Sequence, residues 1–200
     1  MFHRVILLHG VENIAGRAHW TDKLEARWQS QGVPFRLSSF SYGGLLLDRS
    51  SAALTWLPWY RKSLAMRAIK SLAEIEKYLA NFSRVDGRLS FIAHSFGGQI
   101  VQQALEGGWK VHRAILLASA MDEEFDFNKF DSQFDAIHIF WSPADEVIRW
   151  AYYGRQGQRG PAVPHRRVYD HRRDGFRHND WTTDRNINRM AAFWRAMLES

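Results

Sequence analysis

The sequence predicts an α/β fold of three layers: a mostly parallel sheet of about six strands with helices on both faces. Two observations carry this. Short apolar runs alternate along the chain with stretches whose apolar residues recur at helical spacing, the pattern of a parallel sheet covered on both sides. And 200 residues with nine Trp and thirteen Phe hold enough apolar bulk for one well-buried core, with too little length for two. A single domain spanning residues 1–200 is therefore expected, and disorder is not.

The elements follow in order. Val5–Leu8 is the first strand. Trp20, Leu24 and Trp28 fall at i, i+4 and i+8, one face of a helix. Gly32-Val33-Pro34 ends it, and Phe35–Phe40 is the second strand. A helix from about Ser63 to Phe82 presents Leu72, Ile75, Leu79 and Phe82 on one side. Asp86-Gly87 turns the chain into a third strand, Arg88–Ala93. The helix after Gly97 shows Ile100, Val101, Ala104 and Leu105 on one face and stops at Gly107-Gly108. Ala114–Ala118, Ala136–Trp141 and Arg166–Tyr169 supply three more strands. Asp184 is placed to cap a last helix with Ile187, Met190, Ala191, Trp194 and Leu198 on its apolar face. Two stretches stand outside the scheme. Residues 41–60 are apolar but interrupted by Gly43-Gly44 and Pro58, and the Gly, Gln and Arg content of Ala151–Pro164 reads as a mobile surface loop.

Composition excludes several classes of function. With no cysteine there is no disulfide frame, thiol nucleophile or cysteine metal site. No glycine-rich phosphate loop occurs, and His3 and His9 have no carboxylates at ligand spacing, so neither a metal nor a cofactor is expected. No run of about twenty apolar residues exists to span a membrane. The N-terminal apolar run is too short for a signal-peptide core, so a cytoplasmic location is expected. The net charge of +6 is unevenly spread: Asp122–Asp135 holds six acids against one lysine, and Arg149–Arg177 holds eight arginines against two acids. Two solvated surface segments explain this, and an anion-attracting surface is the sharper alternative. The arginines are not interleaved with aromatics as in a nucleic-acid motif, so nucleic acid is not an expected partner.

The informative stretch is LSFIAHSFGGQIVQQAL, Leu89–Leu105. An apolar strand stops at Ser95 and a helix opens directly after it. A tight strand-to-helix turn lifts a hydroxyl out of the sheet and sets the following N–H groups at a helix N-terminus, where negative charge is favoured. Such a turn crowds its neighbours, so the residues two before and two after the serine must be small; here they are Ala93 and Gly97. A serine that merely caps the helix is the simpler alternative.

With AHSFGG between a strand and a helix, the chain resembles the α/β-hydrolases, and AHSFGG is similar to the nucleophile elbow of that superfamily. Alanine in the first motif position is similar to small capless lipases and esterases of the Bacillus type, and the resemblance covers almost the whole chain. It implies Ser95 as nucleophile and an acid after the fifth strand, in SPADEVI, where Asp145 fits and Glu146 is its neighbour; Asp122 is a weaker alternative. It implies a histidine after the last strand, where His165, His171 and His178 all lie; His178, before the final helix, is preferred and His171 is second. The oxyanion donors would be the main-chain N–H groups of Phe96 and of Val11, after the HG pair His9-Gly10. His9 is expected to be structural, and His94 to point away from the base as a packing or loop-anchoring residue.

A serine at the elbow argues against dehalogenase and epoxide hydrolase chemistry. The expected activity is serine-dependent cleavage of small-molecule carboxylic esters through an acyl-serine. Thioesterase, amidase or acyltransferase chemistry on the same fold is the alternative, and so is a non-catalytic binding module using the basic C-terminal half. Leu45, Leu46, Trp56 and Trp59, within 41–60, would form an apolar mouth or small lid, or else a packing excursion.

Overall fold

A computed structural model describes residues 2–10, 19–40, 66, 69–77, 87–151 and 156–200. Six strands, β1 (Phe2–Leu8), β2 (Phe35–Phe40), β3 (Gly87–His94), β4 (Val111–Leu117), β5 (Phe134–Trp141) and β6 (Val168–Arg172), form one sheet in the order β2-β1-β3-β4-β5-β6. Every pairing is parallel. The helices are α1 (Trp20–Ser30), α2 (Gly97–Glu106), α3 (Glu146–Ala151), the single turn α4 (Gln156–Arg159) and α5 (Asp184–Glu199). Residues 69–77 are also helical, within the span expected for a helix. Among the described residues, no helix is long and apolar enough to cross a membrane.

Alternation along the strands divides the core in two. Val5, Leu7, Ile92, Ile115 and Leu117 pack against Trp20, Leu24 and Trp28 of α1 and Ile187, Trp194 and Leu198 of α5. Ile6, Leu8, Phe91, Ala93, Ala114 and Leu116 pack on the other face with Ile75 and with Ile100, Val101 and Leu105 of α2. The central strands are therefore apolar at nearly every position, because both of their faces are covered. The chain leaves β1 for β2 on one side and β3 on the other. Open parallel sheets bind ligands at the carboxyl ends of the strands where the order reverses, which here are β1 and β3.

Several boundaries differ from expectation. Strand β6 starts later than Arg166: Arg167 O still accepts from Ile137 N–H (2.9 Å), but the paired register begins at Val168, and the Arg166 and Arg167 guanidinium groups turn to Asp131 (3.5 and 2.5 Å). Thr183, not Asp184, caps α5: its hydroxyl accepts from the Asn186 N–H, while Asp184 sits in the first turn and pairs with Lys23. The stretch after α3 is not wholly a surface loop. Its Gly157 N–H donates to Ser119 O (2.7 Å), and a Cβ on Gly157 would lie 2.5 Å from the Ala118 carbonyl carbon. Gly and Gln there serve close packing, which composition alone reads as solvent exposure.

The two charged segments meet. Glu123 pairs with Arg159, and Asp131 with His165, Arg166 and Arg167, while Arg172 pairs with Asp174. Much of the arginine excess is thus neutralised within the chain. Such exposed pairs add little stability each, but they weaken the case for a free basic surface.

Candidate active site

Ser95 follows β3 directly and has φ +55°, the left-handed region that a side chain with a Cβ occupies at a cost of about 1–2 kcal/mol. The turn holds it there from both sides. Its N–H donates to Leu117 O (2.9 Å) at the end of β4, and its carbonyl accepts from Gly98 N–H (3.0 Å) and Ala120 N–H (2.9 Å). Strain fixed by surrounding structure in this way concentrates at functional positions. Ser95 does not cap α2: Phe96 is the N-cap, in helical geometry, and no side chain bonds the first turn.

The small residues around the serine have measurable reasons. A Cβ on Gly97 would lie 2.9 Å from Leu8 Cβ and 3.2 Å from Ala93 Cβ, so α2 starts against β1 and β3. A Cβ on Gly10 would lie 3.0 Å from Ser95 Cβ and 3.4 Å from its Oγ, which puts the residue of the HG pair directly over the serine. The tightest position is Gly98, where a Cβ would fall 2.0 Å from Ser119 Oγ. Ser119 is fully buried and its Oγ accepts from Met121 N–H, so it cannot swing away freely. Gly98→Ala is therefore expected to destabilise by about 1–3 kcal/mol in urea unfolding. Adding Ser119→Gly should recover most of that loss. Strictly additive effects in the double variant would mean that the clash with Ser119 is not the cause.

The structure brings Asp145 and His178 together, 33 residues apart in sequence. His178 Nδ1 lies 2.9 Å from Asp145 Oδ2 and 3.1 Å from Oδ1. Asp145 is fully buried and His178 nearly so. A carboxylate only accepts, so Nδ1 carries the proton in this bond, and in the neutral ring Nε2 is the free acceptor. Asp145 Oδ1 also accepts from Ile148 N–H (2.9 Å), so the same carboxylate caps α3. His178 opens a 3₁₀ turn, His178–Thr182, closed by Arg177 N–H donating to Asp180 (2.7 Å) and anchored by buried Trp181.

The other candidates have different partners. His171 is 3.1 Å from His138 Nδ1 and stacks on Phe140, and His165 pairs with Asp131. Asp122 accepts from Gln102, and Glu146 is exposed in the first turn of α3. His9 Nδ1 donates to Gly10 O (2.6 Å) and its ring stacks on His19, a structural placement. His94 departs from expectation. It does not point away from His178: its Nε2 is 3.0 Å from His178 O, and the two rings lie 4.7 Å apart, because the buried ring takes that carbonyl as its acceptor. Among the described residues, the Ser95 hydroxyl is not hydrogen-bonded to His178. Phe96 follows Ser95 with its side chain buried. Val11 and the whole of 41–60, with Leu45, Leu46, Trp56 and Trp59, lie outside the described residues.

No family model matches the chain, and no curated protein does. Solved structures do. Alpha/beta hydrolase domain-containing protein 10 from mouse is 12% identical at a TM-score of 0.61, covering 98% of this chain and 89% of its own. A dienelactone hydrolase-like promiscuous phosphotriesterase from metagenomic libraries is 16% identical at 0.57, covering 98% and 84%. An esterase from Pyrococcus furiosus is 11% identical at 0.56, covering 98% and 80%. Identities this low speak for architecture alone, and the sheet order, the strained serine after β3 and these superpositions agree on it: the chain has the α/β-hydrolase fold.

Proposed function

We propose that this protein is a serine hydrolase that cleaves carboxylic esters through an acyl-serine intermediate. Ser95 is the nucleophile, His178 the general base and acid, and Asp145 the residue that orients the imidazole. The reading rests chiefly on one observation: a buried Asp145–His178 pair, drawn from beyond β5 and β6, whose imidazole packs on the residue preceding a strained Ser95. Esterase and phosphotriesterase activity, named for structures of the same fold, is further support for ester chemistry.

In this scheme Ser95 Oγ forms a bond to the acyl carbon while its proton passes to His178 Nε2. Negative charge gathers on the former carbonyl oxygen, held by the N–H groups of Phe96 and Val11. The leaving alcohol takes the proton from His178, and a water activated by the same ring then releases the acid. Hydrogen bonds from nucleophile to base commonly tighten only when substrate is bound. Asp145 orients the imidazole and stabilises its charged form.

A fluorophosphonate probe tests the reading. Covalent labelling at Ser95, identified by peptide mass, together with hydrolysis of p-nitrophenyl esters is the expected result. A folded protein that is neither labelled nor active would replace it with the binding-module reading. Turnover of acyl-CoA or aryl amides in preference to esters would move the chemistry to thioester or amide substrates.

A further inference from the structure

We propose that His94 is a positioning residue for His178, fixing the main chain that carries the base from a point next to the nucleophile. The inference deepens the proposed function and rests on the assignment of His178 as base.

The geometry is specific. His94 is the last residue of β3 and immediately precedes Ser95. It is 4% exposed. Its Nε2 lies 3.0 Å from the carbonyl oxygen of His178, 84 residues further along the chain. A carbonyl only accepts, so Nε2 carries the proton and donates, which leaves Nδ1 without one. Nδ1 faces Gly10, where a Cβ would approach to 3.2 Å. The ring is held on one side by His178, at 4.7 Å between centroids, and meets Trp20 edge-on at 6.5 Å on another. Its orientation is thus set by packing as well as by the bond.

The His178 main chain needs such a tether. Its 3₁₀ turn is five residues long; Arg177 N–H and Asn186 Nδ2 bond Asp180 within and behind it, Trp181 packs on Phe140 of β5, and the His178 ring bonds Asp145 after β5. The His94 bond is the one among these that refers the base to the strand bearing Ser95. A nucleophile and a base carried on separate elements must keep one mutual distance, and a shift of about 1 Å can cost about 100-fold in rate. Burial also keeps the clamp unchanging: it lowers the His94 pKa to about 3, the charge of His178 acting in the same direction. The donor therefore stays neutral, and no second cation stands beside the imidazolium that forms during turnover.

The test compares three substitutions. His94→Gln carries an amide nitrogen where the imidazole Nε2 sits; His94→Phe fills the space without a donor; His94→Asn places its donor too close to the strand to reach. Phe and Asn are expected to lower kcat on p-nitrophenyl acetate by about 10–100-fold with KM within about twofold, and to slow fluorophosphonate labelling of Ser95 by the same factor. His94→Gln should recover most of both losses. Circular dichroism checks folding, and if the Phe variant does not fold, the Asn–Gln pair carries the comparison. Equal activity of Gln and Asn variants would overturn the clamp, since packing alone does not distinguish where the donor lies. Ser95→Ala and His178→Ala, run alongside, separate the two failures. If these are inert while His94→Asn matches wild type, only the clamp is wrong; if they remain active, the site assignment itself is.

Discussion

Asp145→Asn is expected to fold normally and to lose about 10⁴-fold in kcat on a p-nitrophenyl ester. The carboxylate has two duties that this substitution pulls apart. One oxygen accepts from Ile148 N–H and caps α3, and both oxygens accept from His178 Nδ1. Asparagine keeps a carbonyl oxygen for the cap, so the helix is retained. Its NH₂ then faces His178 and can only donate, so Nδ1 must give up its proton and Nε2 take one. A ring protonated at Nε2 cannot accept from Ser95, and the base is lost without a change of shape. Asp145→Ala should cost the cap as well, about 1 kcal/mol, and is the less informative variant. His178→Ala and Ser95→Ala should each fall by about 10⁴-fold or more, and pairing any two should add little, because the three residues act as a unit. The measurements are kcat by stopped assay at pH 7–8 and Tm for each variant. An Asp145→Asn protein with near wild-type kcat would leave Asp145 as a helix cap and nothing else.

The elbow is legible in the sequence because its requirements are local. A strand run, a serine, small residues two before and two after, and a helical pattern all sit within seventeen residues, Leu89–Leu105. The strands are legible because both faces of the central sheet are buried, so each reads as an apolar run. The choice between His171 and His178 is not local. His171 pairs in register with Phe140 and stacks on it, on the face covered by α1 and α5, and that placement follows from strand parity and register rather than from the sequence around it. A packing or loop-anchoring role for His94 is legible in the sequence, but nothing near it announces that the loop it meets lies 84 residues away. The fate of the arginines is hidden for the same reason: Asp131 meets Arg166 and Arg167 only after β6 is laid beside β5. Segment 156–160 carries the Gly and Gln content of a loop, whereas glycine there is what fits against Ala118 and Ser119.

Acidification from pH 7 to pH 5 should destabilise the fold markedly, well before carboxylates titrate. Burial holds His94 neutral down to about pH 3, and His3 and His138 down to about pH 4. In the unfolded chain each titrates near 6.5. Between those values the unfolded state binds protons that the folded state refuses, so stability rises with pH across the window and is lost as pH falls below 6.5. For fully enclosed His94, the step from pH 7 to pH 5 amounts to about 2 kcal/mol. His3 and His138 act in the same direction, each by less, since water screens their more open sites. Asp131 behaves differently: Arg167 holds its carboxyl below the ordinary range, so its contribution is intact between pH 7 and pH 5 and is lost only as pH falls below the ordinary carboxylate value of about 3.9. Urea unfolding at pH 7, 6 and 5 measures the slope, and His94→Gln isolates one group. That variant should lose about 2 kcal/mol less than wild type over the same interval, since glutamine binds no proton in either state. Parallel curves for the two proteins would show that His94 takes up its proton while still folded, and that its site is open to water rather than sealed between Trp20 and His178.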